Sequence, residues 1–333
     1  MLRQLGARAL SRLAAPQRLK LGLAASAAAA AAAAFAASNS SECKSLPDGL
    51  TQQRTKDFNL SEHYHGKSRV RVLRVRREEG KMDTVQEYTV ETRLYSPVYT
   101  RVFQEEDNSG LVATDTQKNT VYVVAKKSAS TTPEGFGIDL ARHLLKEYPV
   151  LTAVEVDIKE DLWRRHTTPC GKEHEHGFVR EAPERATANV RLTREEPTKP
   201  RVQSGLAGLT VLKTTQSGFE NYLRDKFTLL PETQERCLAT EMKLDWTYEN
   251  VDMDKVDFKE MRATLRNEFK KGFFGPPVGG VYSPSLQATI YDAGCMVLKA
   301  VPAINSISIY TPNIHMIPFH SLKALGQQVG HCK

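Results

Sequence analysis

The sequence predicts an α+β fold, with helices on one face of an antiparallel sheet, built twice in tandem. Two observations carry this. Stretches that alternate apolar and polar residues come in pairs, and between the pairs stand segments with a helical stripe and recognisable caps. The order of paired strands, helix and paired strands then recurs in the second half of the chain. No periodic segment is left to cover the other face of the sheet. A second copy of the chain is therefore expected to cover a face or an edge, which predicts an oligomer.

The first strand covers residues 69–75, RVRVLRV. A short polar loop containing Gly80 leads to a second strand marked by Tyr88, Val90, Thr92 and Leu94, so the two read as a hairpin. Residues 120–125 are strand-like. Thr132 then caps a helix that has Pro133 at its first position and Glu134 in its first turn. Its stripe is Phe136, Leu140, Leu144 and Tyr148, and Pro149 stops it. Further strands are expected at Val154–Val156–Ile158, Phe178–Val179 and Val190–Leu192, with residues 181–200 as a charge-rich, exposed hairpin tip.

The second half opens with a strand over residues 206–212, where Gly205 and Gly208 permit close backbone approach. A polar turn and a short helical or looped excursion follow. Leu238, Thr240, Met242, Leu244 and Trp246 mark one face of the next strand. Asp257 and Glu260 form a capping box for a helix with the stripe Phe258, Met261, Leu265 and Phe269, which Gly272 is expected to close. A second helix is expected over residues 285–298 and a strand over residues 306–309. The resulting division is a targeting-like, low-complexity segment and linker at 1–59, a first unit at 60–200 and a second at 201–333.

Charge excludes one class of function. The net charge is +7, but Arg3, Arg8, Arg12, Arg18 and Lys20 account for five of those charges, and residues 1–41 contain no acid. The remainder is nearly neutral and carries no basic patch interleaved with aromatics, so nucleic acid is not the expected partner. The segment itself is Arg-rich and acid-free, with leucines on one helical side. This is transit-peptide composition and points to mitochondrial import. An Ala-dominated apolar run over residues 21–37 follows it, at the short edge for a spanning helix. The five cysteines, at 43, 170, 237, 295 and 332, are odd in number and widely spaced, which fits reduced thiols rather than a disulfide framework or a zinc ribbon.

Four groups of residues could carry chemistry. Phe219 and Arg236 offer an aromatic face and a planar guanidinium, which suit a flat anionic heterocycle; core packing and a surface ion pair are the bland alternative. Lys67 and Thr114 can act as a proton relay, through a hydroxyl and an amine of lowered pKa. Asn313 and His315 lie on one side of an extended stretch, where Asn can orient a diatomic or a water and His can take its proton. His174 and His176 form half of a metal site, with His166 or Cys170 as a possible third ligand. No dinucleotide fingerprint, P-loop or nucleophile elbow is present, so any redox substrate has to meet oxygen directly.

Four runs closely resemble the urate oxidase (uricase) family: VATDTQKNT at 112–120, SGLAGLTVLK at 204–213, LQATIY at 286–291 and PNIH at 312–315. The resemblance extends in one collinear register from Tyr64 to Phe319. It implies two tandem T-fold units assembled into an oligomeric, tunnel-forming barrel, a homotetramer with active sites at subunit interfaces. It implies oxidation of urate by O2 to 5-hydroxyisourate and hydrogen peroxide, with no metal or organic cofactor. Carried onto this chain, Phe219 stacks on the purine, Arg236 and Gln287 clamp its edge, and the Leu286 backbone adds a hydrogen bond. Thr114 and Asp115 come from a neighbouring subunit, with Lys67 behind Thr114. Asn313 holds oxygen or water above the ring, and His315 continues the proton path.

The family's compartment is the peroxisome, and the expected Ser-Lys-Leu-like ending is replaced by Gly330-His331-Cys332-Lys333. The chain beyond Phe319 reads as short or substituted relative to the family. Two rival readings follow. One is a uricase-like protein that binds purine without turning it over. The other is a metal-dependent T-fold enzyme using His174 and His176.

Overall fold

The computed structural model describes residues 60–249, 251–315 and 324–326. The targeting-like segment, its apolar run and the C-terminal tripeptide lie outside the described residues. Strands β1 (His65–Arg76) and β2 (Thr84–Tyr95) form the expected hairpin. After them come helices α1 (Tyr99–Glu105), α2 (Thr114–Lys127) and α3 (Pro133–Glu147), then strands β3 (Ala153–Thr167) and β4 (Glu173–Thr193). The order repeats with β5 (Arg201–Lys213), β6 (Leu238–Tyr248), α4 (Phe258–Phe274), α5 (Leu286–Ala300), β7 (Ile304–Tyr310) and β8 (Asn313–Ile314). All strand pairs are antiparallel. The sheet runs β1 to β7 in sequence order, and β8 pairs with β6 beyond the end of β7. Helices pack on one face, the α+β layering expected.

Alternation places the core. In β2 the side chains of Tyr88, Val90 and Leu94 are fully buried. They meet Phe136, Leu140 and Leu144 of α3, and the Tyr88 and Phe136 rings stack at 5.4 Å. The Thr132 hydroxyl caps α3 by accepting from the Gly135 N–H at 3.3 Å. A second core gathers Leu206, Leu209, Met242, Leu244 and Trp246 of the sheet against Leu265, Phe269 and Phe273 of α4 and Ala293 and Val297 of α5. Asp257 caps α4 by accepting from the Lys259 and Glu260 N–H groups.

Across β2 to β4 the sheet face turned away from the helices is polar. Arg93 bonds Glu155 and Asp157 at 2.9 Å each, Asn189 donates to both carboxylates, and Arg191 lies 4.7 Å over the Tyr95 ring.

Three local expectations are corrected. Residues 120–125 lie within helix α2, not in a strand. The β-branched and aromatic run there mimics a strand, but the buried positions are Gln117, Val121, Val124 and Ala125, a helical stripe. Asp115 in the first turn and Lys126 and Lys127 in the last also suit the helix dipole. Second, the exposed hairpin tip is at residues 168–172, where Gly171 takes φ of 82°. Strand β4 continues unbroken through the charge-rich stretch to Thr193, because its charges pair across the sheet: Arg185 and Arg180 both reach Asp161 of β3. Third, α4 is closed by Gly275, with φ of 73°, and not by Gly272. Gly272 is instead where two helices touch, since a Cβ there would sit 2.6 Å from the Cα of Ala293 in α5.

Candidate active site

The end of β5 delivers the aromatic. Beyond Lys213 the chain turns through Gln216, which adopts φ of 60°, and enters a short, hydrogen-bonded crossing. The Gly218 N–H donates to the Ser283 carbonyl at 2.9 Å, and the Ser283 N–H donates to the Gln216 carbonyl at 2.9 Å. Phe219 exchanges backbone hydrogen bonds with Thr233, and the Arg236 N–H donates to the Ser217 carbonyl at 2.8 Å. Gly218 has no room for a side chain, since a Cβ would fall onto the Tyr282 hydroxyl and 2.9 Å from the Thr233 carbonyl oxygen.

These bonds draw three sequence-distant pieces together. The Arg236 guanidinium lies 5.2 Å from the Phe219 ring centroid, and its Nε donates to the Ser217 hydroxyl at 3.4 Å. Burial pulls the guanidinium below its ordinary pKa. It remains a cation, as arginine does throughout the working pH range. Ser283 leads into α5, whose N-cap Ser285 accepts from the Ala288 N–H at 3.1 Å. The first two residues of that helix are Leu286, buried, and Gln287, exposed. A half-buried cation, a ring face and the positive end of a helix thus converge, which favours a flat anion.

Asn313 and His315 approach along β6. Thr240 pairs with Asn313, and its hydroxyl donates to the Pro312 carbonyl at 2.8 Å. Ala239 pairs with Ile314, so the register carries the exposed His315 toward the start of β6, just after Arg236.

The other predicted residues form a second group. Thr114 is the first residue of α2 and Asp115 the second. Asp115 bonds Lys118 at 2.5 Å and Asn119 at 2.9 Å. Lys118 first, and Lys67 more weakly, hold its carboxyl below the usual range. Lys67 sits in β1 opposite Thr92, at an irregularity where Arg69 takes φ of 58°. The Thr92 hydroxyl donates to Gln117 Oε1 at 2.8 Å, and Gln117 Nε2 donates to the Val112 carbonyl at 3.0 Å. Buried Gln117 therefore fixes the start of α2 against β2, beside Lys67. Among the described residues, no hydrogen bond, ion pair or ring contact joins this group to Phe219 and Arg236.

His174 and His176 lie at the exposed start of β4 with ring centroids 6.4 Å apart, and His166 is 6.2 Å from His174. The His174 Nδ1 accepts from the His176 backbone N–H at 3.1 Å. Among the described residues, no group of three or more His, Cys, Asp or Glu is placed to hold a metal ion. Sequence reasoning missed Ser217, Ser283 and Tyr222. The two serines act through an isolated bridge outside any named strand, and Tyr222 acts through a ring contact inside a loop. Neither leaves a periodic signal.

Known proteins resemble this chain over most of its length. A family model described as Uricase matches residues 63–191 and 202–332. Uricase-2 isozyme 1 of Glycine max is 40% identical over 275 residues, 81% of this chain and 87% of that protein. The uricase of Arabidopsis thaliana is 42% identical over 262 residues, 76% of this chain and 83% of that protein. In structure, the chain is similar to the uricase from Arthrobacter globiformis, with a TM-score of 0.72 and 31% identity over 82% of this chain and 88% of that one.

Proposed function

This chain belongs to the uricase family, and from that premise we infer that it is a urate oxidase. It takes urate, O2 and water to 5-hydroxyisourate and hydrogen peroxide. The observation that carries the reading onto this chain is the convergence of Phe219, Arg236 and the N-terminus of α5 around Ser217 and Ser283.

In the reaction, urate enters as an anion. Phe219 stacks on its ring, a contact of about 1–3 kcal/mol by analogy with base–aromatic stacking. Arg236 gives a forked pair of hydrogen bonds to its edge, and Gln287 and the Leu286 backbone complete the clamp. Thr114, with Lys67 behind it, takes a second proton, and Asp115 holds the opposite edge. The electron-rich dianion passes two electrons to O2 held at Asn313. Water adds at the oxidised carbon, His315 moves the proton that water gives up to the reduced O2, and with the proton held at Thr114 and Lys67 it leaves as hydrogen peroxide. Preorganised donors stabilise the charge that develops, and stacking fixes the approach to oxygen. No metal or organic cofactor has a part in this scheme.

The Lys67 group lies apart from Phe219 and Arg236, so we propose that each site is completed by a neighbouring subunit within a tunnel-forming homotetramer. The polar face of the sheet suits a water-filled tunnel wall. Residues 60–200 and 201–333 are proposed as tandem T-fold units, supported by the two hydrophobic cores and the two matched segments. The family reading carries the peroxisome with it as the compartment, and imaging of the intact tagged chain tests that against the mitochondrion.

The test is the purified chain with urate under air, followed by loss of urate absorbance, oxygen uptake and peroxide. Tight urate binding with neither oxygen consumption nor peroxide would refute the oxidase. Activity that disappears on thorough chelation and returns with a metal would refute the cofactor-free scheme.

A further inference from the structure

The Phe219 ring carries a second partner that the proposed chemistry leaves unused. Tyr222, three residues on, stacks against it with centroids 4.7 Å apart and planes 9° from parallel. Tyr222 is itself held. Its hydroxyl donates to the Leu230 carbonyl, and the Arg224 guanidinium lies 5.5 Å from its ring centroid. Between the two rings the backbone is pinned as well. Asn221 takes φ of 58°, and its N–H donates to Glu232 Oε1 at 3.3 Å. Much of the loop beyond is exposed: Leu223, Phe227 and Leu229 show 97%, 76% and 92% of their surface. The Phe219–Tyr222 stack is therefore a packed contact within a largely exposed excursion.

We propose that Tyr222 is a positioning residue for the substrate: stacked on one face of Phe219, it backs the ring and leaves the other face to a flat heterocycle. This rests on the reading of Phe219 and Arg236 as the urate site. A lone phenyl ring on a loop can tilt about its χ angles, and a tilted ring loses most of a parallel stacking contact. A second ring parallel to it removes that freedom before the substrate arrives. Because a stack on the backing side acts on the bound ring throughout the reaction, it supports substrate and transition state alike. Its loss should appear in binding rather than in turnover.

The experiment compares Tyr222→Ala, Tyr222→Leu and Tyr222→Phe in the full chain. Urate affinity is measured by anaerobic titration, and KM and kcat are measured under air. The expected result is a dissociation constant and KM raised about two- to tenfold in the Ala and Leu variants. The kcat should stay within about twofold of wild type, and the Phe variant should behave as wild type because it keeps the ring. If the Ala and Leu variants bind urate as well as wild type or more tightly, Tyr222 covers the ligand's own face or does nothing, and the proposal is overturned. A fall in kcat at constant KM overturns it equally. A wild-type chain that fails to bind urate overturns both this proposal and the site reading beneath it; unchanged binding in Tyr222→Ala beside a binding wild type overturns this one alone.

Discussion

Replacing Glu134 by alanine tests how the two halves of the chain are joined. Glu134 lies in the first turn of α3 and is fully buried. Its Oε1 accepts from the Ser204 hydroxyl of β5 at 2.7 Å and from the Arg262 guanidinium of α4. Ser204 also bonds the Tyr248 hydroxyl at 2.6 Å, which accepts from the Trp246 indole at 2.9 Å. Burial works against the Arg262 charge, and Glu134, joined by Glu160 and Tyr248, turns the net shift of its pKa upward. Removing the carboxylate leaves a nine-tenths-buried guanidinium without its partner and a buried hydroxyl short of an acceptor. Removing one member of a buried pair costs about 3–5 kcal/mol, because the surviving charge stays desolvated. Replacing both members with apolar side chains, Glu134→Leu with Arg262→Met, recovers most of that loss, since a buried pair roughly breaks even against an apolar pair. Urea unfolding at fixed protein concentration, followed by tryptophan fluorescence, reads both variants, and Trp246 sits inside the network. A Glu134→Ala protein within about 1 kcal/mol of wild type would refute the reasoning. So would a double variant no more stable than the single one.

Three further outcomes follow from burial, packing and the proposed site. Burial pushes the Glu160 carboxyl up to about 7, with Glu134 adding to the rise and Arg262 and Lys259 opposing it. Its folded pKa exceeds its unfolded one, so its contribution to stability is full below the unfolded pKa near 4.5 and is lost as pH rises toward 7. Glu160→Gln should remove a loss of up to about 3 kcal/mol over that window; parallel slopes for the two proteins in urea melts at pH 5 and pH 7.5 would count against it. Gly272→Ala should push α4 from α5 and cost about 1–3 kcal/mol, since its Cβ would lie 2.8 Å from the Ala293 Cβ; an unchanged melting temperature would contradict the contact. At the proposed site, Arg236→Ala should abolish measurable urate binding, while Thr114→Ala should lower kcat by about 10²- to 10⁴-fold and leave binding nearly intact. Wild-type kinetics in the Arg236 variant would sink the site assignment.

The strands of this fold were legible because one side of each is buried, so period two survives in the sequence. Tyr88, Val90 and Leu94, and Leu238, Met242 and Leu244, are read directly from it. Helix α2 was not legible, because Thr120 to Val124 carry the side chains of a strand while the packing uses only one in three or four of them. Gly272 misled for the opposite reason. It reads as a terminus, yet its lack of a side chain serves a contact with Ala293 of α5, 21 positions along the chain (293 − 272). Phe219 and Arg236 stood out as residue types, but what fixes them, the Ser217–Ser283 bridge, joins positions far apart in the chain. Tyr222 lies in a loop and leaves no periodic signal.

The irregularity in β1 has a consequence of parity. Pairing steps from Lys67 opposite Thr92 to Val70 opposite Val90, three residues on one strand against two on the other. Side chains change sides at every residue of a strand, so an odd insertion inverts the count. In an unbroken strand Lys67 would share the outward side of Arg69 and Arg71. With the extra residue it shares the side of Thr92, where α2 begins. Strand β5 does the same around Gly208: Val202, Ser204 and Leu206 are buried before it, and Leu209, Val211 and Lys213 after it. Both ends of the proposed chemistry therefore depend on chain length as well as residue identity. Deleting Ser68 alone would keep every candidate residue in place by name and still turn Lys67 to the wrong side of the sheet.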